Sequence, residues 1–292
     1  MRVRAVHKEK SGELITADWV DRTRDPFADG NTLWVPVLTS EPCDREIPER
    51  KNYRGRGYYM VGDIAVLHGQ EPTPHEIKSI AGFRHPRGIL WIKSLQDITR
   101  TPETQMIWGS GGEVCHKEAG FSYILDPEKV MFSMGNREEK ARIARMVKNT
   151  PRPERIADMF AGIGYFSIPL AGAGADVHAI EINPVAFGYL VRSIEANDLS
   201  GRITPYLGDC RQLLAGTYDR IVMGHFDAVT MLPDALHHAA SGSVIHVHSI
   251  GPVEEQVRAH VEGAGFSATI HVHTVKKYRP HVWHMVQDVY II

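Results

Sequence analysis
The sequence predicts an α/β protein: a doubly wound, mostly parallel sheet over residues 154–292, preceded by a smaller α+β domain. Three observations predict it. From residue 155 short apolar runs alternate with helical patterns, as successive βαβ units require. The stretch Ile156-Ala-Asp-Met-Phe-Ala-Gly-Ile-Gly-Tyr165 reads as a buried strand, a glycine turn and the start of a helix. The last two strand patterns, 267–275 and 282–290, flank a short polar segment and predict an antiparallel hairpin at the end of the sheet.

Taken in order, residues 1–57 read as an extension. Strand patterns at 2–6 and 32–37 flank a stretch rich in charge and turn residues, 18–31, so a small β-containing appendage is expected. Residues 45–59 interleave Arg45, Arg50, Lys51, Arg54 and Arg56 with Tyr53, Tyr58 and Tyr59 around glycines. Cations that track phosphates and rings that stack on bases suit a single-stranded RNA contact, with Arg54 and Arg56 as phosphate partners. A solvated loop with edge tyrosines reads equally well from this stretch alone.

Residues 58–132 read as an α+β domain on an antiparallel sheet. Its strands fall at 60–67, 88–92, 104–108, 113–116 and 121–126, with a helix at 74–81 capped by Thr73. Residues 133–153 read as a linking segment. A turn at 132–136 opens a helix at 137–147, with Ile143, Met146 and Val147 at helical spacing, and two prolines end it. Its mixed charges fit an exposed connector. In the C-terminal domain the strands are 156–159, 176–181, 203–208, 220–223, 243–248 and the terminal pair. Helices are expected from Asn183-Pro184 to about 197, at 230–239 and at 252–262. Asn183 is an N-cap followed by proline at the first helical position.

At 292 residues the chain is long enough for two domains and a sizeable core. Hydrophobic residues make up 43% and charged residues 23%, a soluble globular profile. No apolar run is long enough to span a bilayer and no signal pattern opens the chain, so a cytoplasmic, non-membrane protein is expected. Cys43, Cys115 and Cys210 form neither a disulfide framework nor a zinc spacing. Residues 1–150 hold 23 Lys and Arg against 21 Asp and Glu, and residues 151–292 hold 10 against 14. Any nucleic-acid contact must therefore use local basic patches, since phosphates are neutralised locally.

The chemistry-bearing residues cluster at successive strand ends. Gly162 and Gly164 let the backbone approach a ligand where a Cβ would obstruct it. The third glycine of a dinucleotide fingerprint is replaced by Ser167, which weakens that reading. Asp158, Glu181 and Asp209 stand where three parallel strands end, the pattern of an adenosyl-cofactor site. Glu181 suits a ribose and Asp209 an adenine amino group. Glu181 also reads as a strand-end surface acid, and Asp209 as a helix N-cap, a role compatible with ligand binding. After the fourth strand, Gly224-His225-Phe226 replaces the Asn/Asp-Pro-Pro-aromatic turn of many amino-group methylases. Phe226 suits stacking on a flat base. His225 is a candidate to take up a proton, or a histidine hydrogen-bonded within a packed loop. Two H-x-H pairs, His246/His248 and His271/His273, invite a metal reading. No cysteine or clear carboxylate completes a set, so no metal is expected.

Several blocks together resemble one family of tRNA-modifying enzymes. They are His116-Lys-Glu-Ala-Gly120, then Asp126-Pro-Glu-Lys-Val-Met-Phe-Ser-Met-Gly-Asn136 with Glu139-Lys140, then Asp158-Met-Phe-Ala-Gly-Ile-Gly164, and finally Lys277-Tyr-Arg-Pro-His-Val-Trp-His284. The family holds the tRNA guanine-37 N1-methyltransferases and the wybutosine-synthesizing transferases, and the resemblance covers residues 58–292. The methyltransferase branch has Phe-Ser-Pro-Arg-Leu where this chain has Phe132-Ser-Met-Gly-Asn136, and Asn-Leu-Pro or Asn-Pro-Pro at Gly224–Phe226. Both departures look like the wybutosine branch.

The resemblance implies a class I methyltransferase-like Rossmann domain that uses S-adenosylmethionine as co-substrate. It implies transfer of the 3-amino-3-carboxypropyl group to 4-demethylwyosine at position 37 of phenylalanine tRNA, in the anticodon loop, with release of methylthioadenosine. It also places Ser133, Lys140, Phe160, Gly162, Glu181, Asp209 and Cys210 at the cofactor, with Lys140 pairing with its carboxylate. The alternatives are a tRNA guanine-37 N1-methyltransferase and a non-catalytic tRNA-binding module.

Overall fold
Strands of the C-terminal domain are apolar on both faces because helices cover both. In the computed structural model, which describes residues 1–47, 53–97 and 99–292, the chain falls into two compact units, Met1–Arg54 and Gly55–Ile292. The first is a small antiparallel sheet. Its strands β1 (Arg2–His7), β2 (Phe27–Asp29), β3 (Thr32–Pro36) and β4 (Arg45–Glu46) are ordered β2-β3-β1-β4 around Val3 and Val35. Arg50 and Lys51 lie outside the described residues.

The second unit opens with β5 (Tyr59–Val61), β6 (Ile64–His68), helix α1 (Pro74–Arg84), β7 (Gly88–Gln96) and β8 (Thr101–Gly109). Thr73 caps α1 through a capping box with Glu76, whose carboxylate accepts the Thr73 N–H at 2.7 Å. The sheet β5-β6-β7-β8 is mixed, which corrects the expected antiparallel one: β6 and β7 are parallel. The cause is α1, which crosses over between them and returns the chain in the same direction. Strands β9 (Val114–Glu118) and β10 (Phe121–Leu125) form a separate hairpin.

Helix α2 (Arg137–Lys148) is no exposed connector: Ile143 and Val147 lie in the core, and Glu139 and Lys140 are buried too. Next come β11 (Arg155–Asp158), α3 (Ser167–Gly172), β12 (Asp176–Glu181), α4 (Pro184–Glu195) and β13 (Ile203–Leu207). They are followed by α5 (Cys210–Leu213), β14 (Arg220–Met223), α6 (Leu232–Leu236), β15 (Val244–Ile250), α7 (Glu254–Gly263), β16 (Ala268–Arg279) and β17 (Val282–Ile291). The helix expected at 230–239 is a 3-10 turn, Ala228–Met231, that runs into the short α6.

The seven-stranded sheet is ordered β13-β12-β11-β14-β15-β17-β16, with β17 antiparallel to both neighbours. Alternate residues feed two cores. Ile156, Val177 and Val222 face Ile143, Ile168 and Leu190, and this core runs without a break into Val61, Leu90 and Tyr123 of the smaller lobe. Ala157, Ile221 and Ile245 face Leu236 and Val257 on the other side.

Helix α4 and the turn that follows it also tie the lobes together by hydrogen bonds. The Ser122 N–H donates to Asn197 Oδ1 at 2.9 Å, and Asn197 Nδ2 donates to the Ser122 carbonyl at 2.6 Å. Two residues on, the Ile124 N–H donates to Ser193 Oγ at 3.0 Å. Among the described residues, no helix is long and apolar enough to cross a membrane.

Candidate active site
The strand order reverses between β11 and β14, and a cavity of about 540 Å³ opens at the carboxyl ends of β11 to β14, the expected ligand crevice of such a sheet. The turn after β11 is held from beneath by Asp158. Its buried carboxylate accepts the Ser167 N–H at 3.1 Å and the Ser167 hydroxyl at 2.7 Å. Burial pushes its pKa up to about 6. Gly162 has φ +58°, and a Cβ there would lie 2.7 Å from the Tyr165 ring. Asp158 therefore supports the turn, while Gly162 and Phe160 line the cavity.

Glu181 lines it from the end of β12. One carboxylate oxygen accepts the Gly162 N–H and the other the Asn183 N–H, each at 2.7 Å. These bonds fix its rotamer and leave each oxygen acceptor capacity for a ligand hydroxyl. Burial nonetheless raises its pKa. Asp209 caps α5, and Arg211 both pairs with it and lowers its pKa. Cys210 opens α5 with its thiol buried and pushed up to about 11, so it is no nucleophile at neutral pH.

Ser133, Gly224, His225 and Phe226 line the same cavity, with the His225 ring 5.5 Å from that of Phe160. Lys140 is not among the lining residues. Its ammonium lies in a box of Tyr123, Phe132 and Tyr165 rings and pairs with Glu118. This corrects the expected pairing with a cofactor carboxylate: the cation is already neutralised by a buried acid. His225 Nδ1 accepts the Asp227 N–H at 3.2 Å, and burial lowers the pKa of the ring. Nε2 is then the ring nitrogen left for a ligand.

The cavity also takes in Arg100, Lys276 and Tyr278, which the sequence reading left unassigned. The segment 276–281 reads as the hairpin turn, but β16 runs on to Arg279. The polar-aromatic alternation of Lys276 and Tyr278 was the available signal. Arg56, expected at phosphate, instead donates to the His68 carbonyl at 2.5 Å and to the Gln70 carbonyl. Arg54 is exposed.

His246 and His248 are fully buried with polar partners. Arg220 donates to His246 Nε2 at 2.7 Å, so His246 Nδ1–H donates to Asp288, at 2.6 Å. His248 pairs with His284 at 2.9 Å.

A family model described as the TRM5/TYW2 methyltransferase domain matches residues 114–275. The chain belongs to this family. It is 34% identical, over 80% of its length and 97% of the relative's, to the tRNA(Phe) (4-demethylwyosine(37)-C(7)) aminocarboxypropyltransferase of Methanocaldococcus jannaschii. Among solved structures, M. jannaschii TYW2 in complex with AdoMet superposes with a TM-score of 0.64 at 29% identity, covering 80% of this chain and 99% of that one. P. horikoshii TYW2 in complex with MeSAdo gives 0.70 at 28% identity, covering 82% and 92%. The fold is that of the family's S-adenosylmethionine-dependent enzymes, and the cavity lies where this chain's own strand order reverses.

Proposed function
We propose that this chain transfers the 3-amino-3-carboxypropyl group of S-adenosylmethionine to C7 of 4-demethylwyosine at position 37 of phenylalanine tRNA, in the cytoplasm. The observation that carries this reading is the cavity itself. It is lined by Glu181 and Asp209 together with the His225–Phe226 loop. The match to a relative named for this activity, spanning 97% of that relative, supports the same reading.

In the reaction, C7 of the base attacks the methionine-arm carbon attached to sulfur. That carbon–sulfur bond breaks and its electron pair stays on sulfur, giving methylthioadenosine. The ring then loses its C7 proton to water. Any of the three carbons on the sulfonium is open to attack, so the outcome depends on which is held in line with the base. Glu181 holds the ribose, Asp209 the adenine amino group, and Gly162, Phe160 and Cys210 close on the adenosyl part. Ser133 lies beside the methionine arm. Phe226 stacks on the base, and His225 Nε2–H donates to an acceptor on it.

The test uses S-adenosylmethionine labelled either in the aminocarboxypropyl arm or in the methyl group, with tRNA bearing the precursor base. Arm label entering the RNA, with methylthioadenosine released, is the expected result. Methyl label entering it instead would make the chain a methyltransferase, and no measurable cofactor binding would leave a tRNA-binding module.

A further inference from the structure
With Lys140 committed to Glu118, the cavity needs another cation if it is to hold a carboxylate. Lys276 is half-buried on its wall, and among the described residues no anion lies within ion-pair distance of it. Two features of the backbone place it there. A register shift in β16 pairs Thr274 with Met285 but Lys276 with His284, so a bulge at Val275 re-aims the next side chain. On the facing turn, the space a Cβ would take at Gly135 is filled by the Lys276 ammonium. Gly135 carries no left-handed φ, and the three nearest atoms that a Cβ there would meet all belong to the Lys276 side chain. Arg100 adds a second cation on the same wall, its guanidinium 4.9 Å from the Phe226 ring centroid.

We propose that Lys276, seated against Gly135 and supported by Arg100, is the carboxylate subsite for the amino-acid arm of S-adenosylmethionine. This rests on the transfer reading above. An ammonium held half out of water without a counter-ion is a costly arrangement that an incoming carboxylate relieves. Burial lowers the pKa of Lys276 first, and the charges of Arg100 and Lys140 lower it further. Fixing the carboxylate fixes the swing of the arm, and hence which carbon faces the base.

The experiment compares calorimetric binding of S-adenosylmethionine with that of methylthioadenosine, which lacks the arm. Lys276→Met is expected to weaken S-adenosylmethionine about 10-fold, with methylthioadenosine unchanged and Lys276→Arg largely restoring affinity. Gly135→Ala, which displaces the ammonium, is expected to reproduce the loss. Equal losses for both ligands would make Lys276 a structural residue. Unchanged binding of both, with weakened tRNA binding, would make it a phosphate contact. Either outcome overturns the proposal. If the unmodified protein binds neither ligand, the transfer reading itself fails.

Discussion
Glu181 shows how much one side chain depends on its setting. Two backbone N–H donors at 2.7 Å hold the carboxylate still while burial works against its charge. Removing it strands the Gly162 N–H and, on the proposed reading, loses the acceptor for the ribose. Glu181→Ala is expected to weaken S-adenosylmethionine binding by about 1–3 kcal/mol, the range for hydrogen bonds to charged groups. Calorimetry that found unchanged affinity would remove Glu181 from the site. The position of Glu181 was legible in the sequence, because a strand pattern ending in an acid after a glycine turn constrains both. Lys140 and Arg56 were not legible in the same way. A positive charge in a string of letters says nothing about whether a buried glutamate or two carbonyls already occupy it, and here they do.

At the scale of elements, the strand and helix patterns from residue 155 onward followed the expected order, because strands covered on both faces and helices with proline-bearing starts leave strong local signals. The direction of β7 relative to β6 and the role of α2 were set by tertiary contacts that no window of residues contains. Helix α2 is the clearer case. Arg142 makes two bonds to Glu139 and two to the fully buried Asp288 on β17, at 2.6 and 3.0 Å. Asp288 also accepts from His246. The helix thus closes a polar chain that runs through the sheet to Arg220 and Glu154. Arg142→Met would leave a buried carboxylate short of its strongest partner and is expected to cost about 3 kcal/mol. Chemical denaturation would measure it. A loss under 0.5 kcal/mol, the scatter of an ordinary surface change, would mean that His246 and His273, which also reach Asp288, suffice.

Across the whole molecule the titration behaviour is set by histidines kept neutral. Burial holds His178 and His284 at about 4, and His248 is held well below its ordinary value. Between about pH 6.5 and 4 the unfolded chain takes up protons at these sites and the folded protein does not. Stability is therefore full above about 6.5 and is lost as pH falls through that window. Asp158, raised to about 6, and Glu181, also raised, act in the opposite sense, but burial lowers His68, His116, His225 and His246 as well. The denaturation midpoint is expected to drop steadily from pH 7 to 4, with a shallower slope in His284→Gln. A midpoint that held constant over this range would show that the three rings ionise without opening the fold.

The pairing of Ser193 and Asn197 with β10 has a consequence for how this protein can be divided. The Ser193 hydroxyl on α4 and the Asn197 amide just beyond it stand in for the missing neighbour strand, offering the edge of β10 the donors and acceptors that another chain would otherwise supply. A fragment ending at Lys148 would bare that edge and invite templated stacking with its own copies. A fragment beginning at Arg155 would keep Glu181 and Asp209 but lose Arg100 and Ser133 from the cavity, together with the lobe that shares its core. The two lobes follow one another in sequence yet bury one continuous core, so neither half is expected to fold without the other.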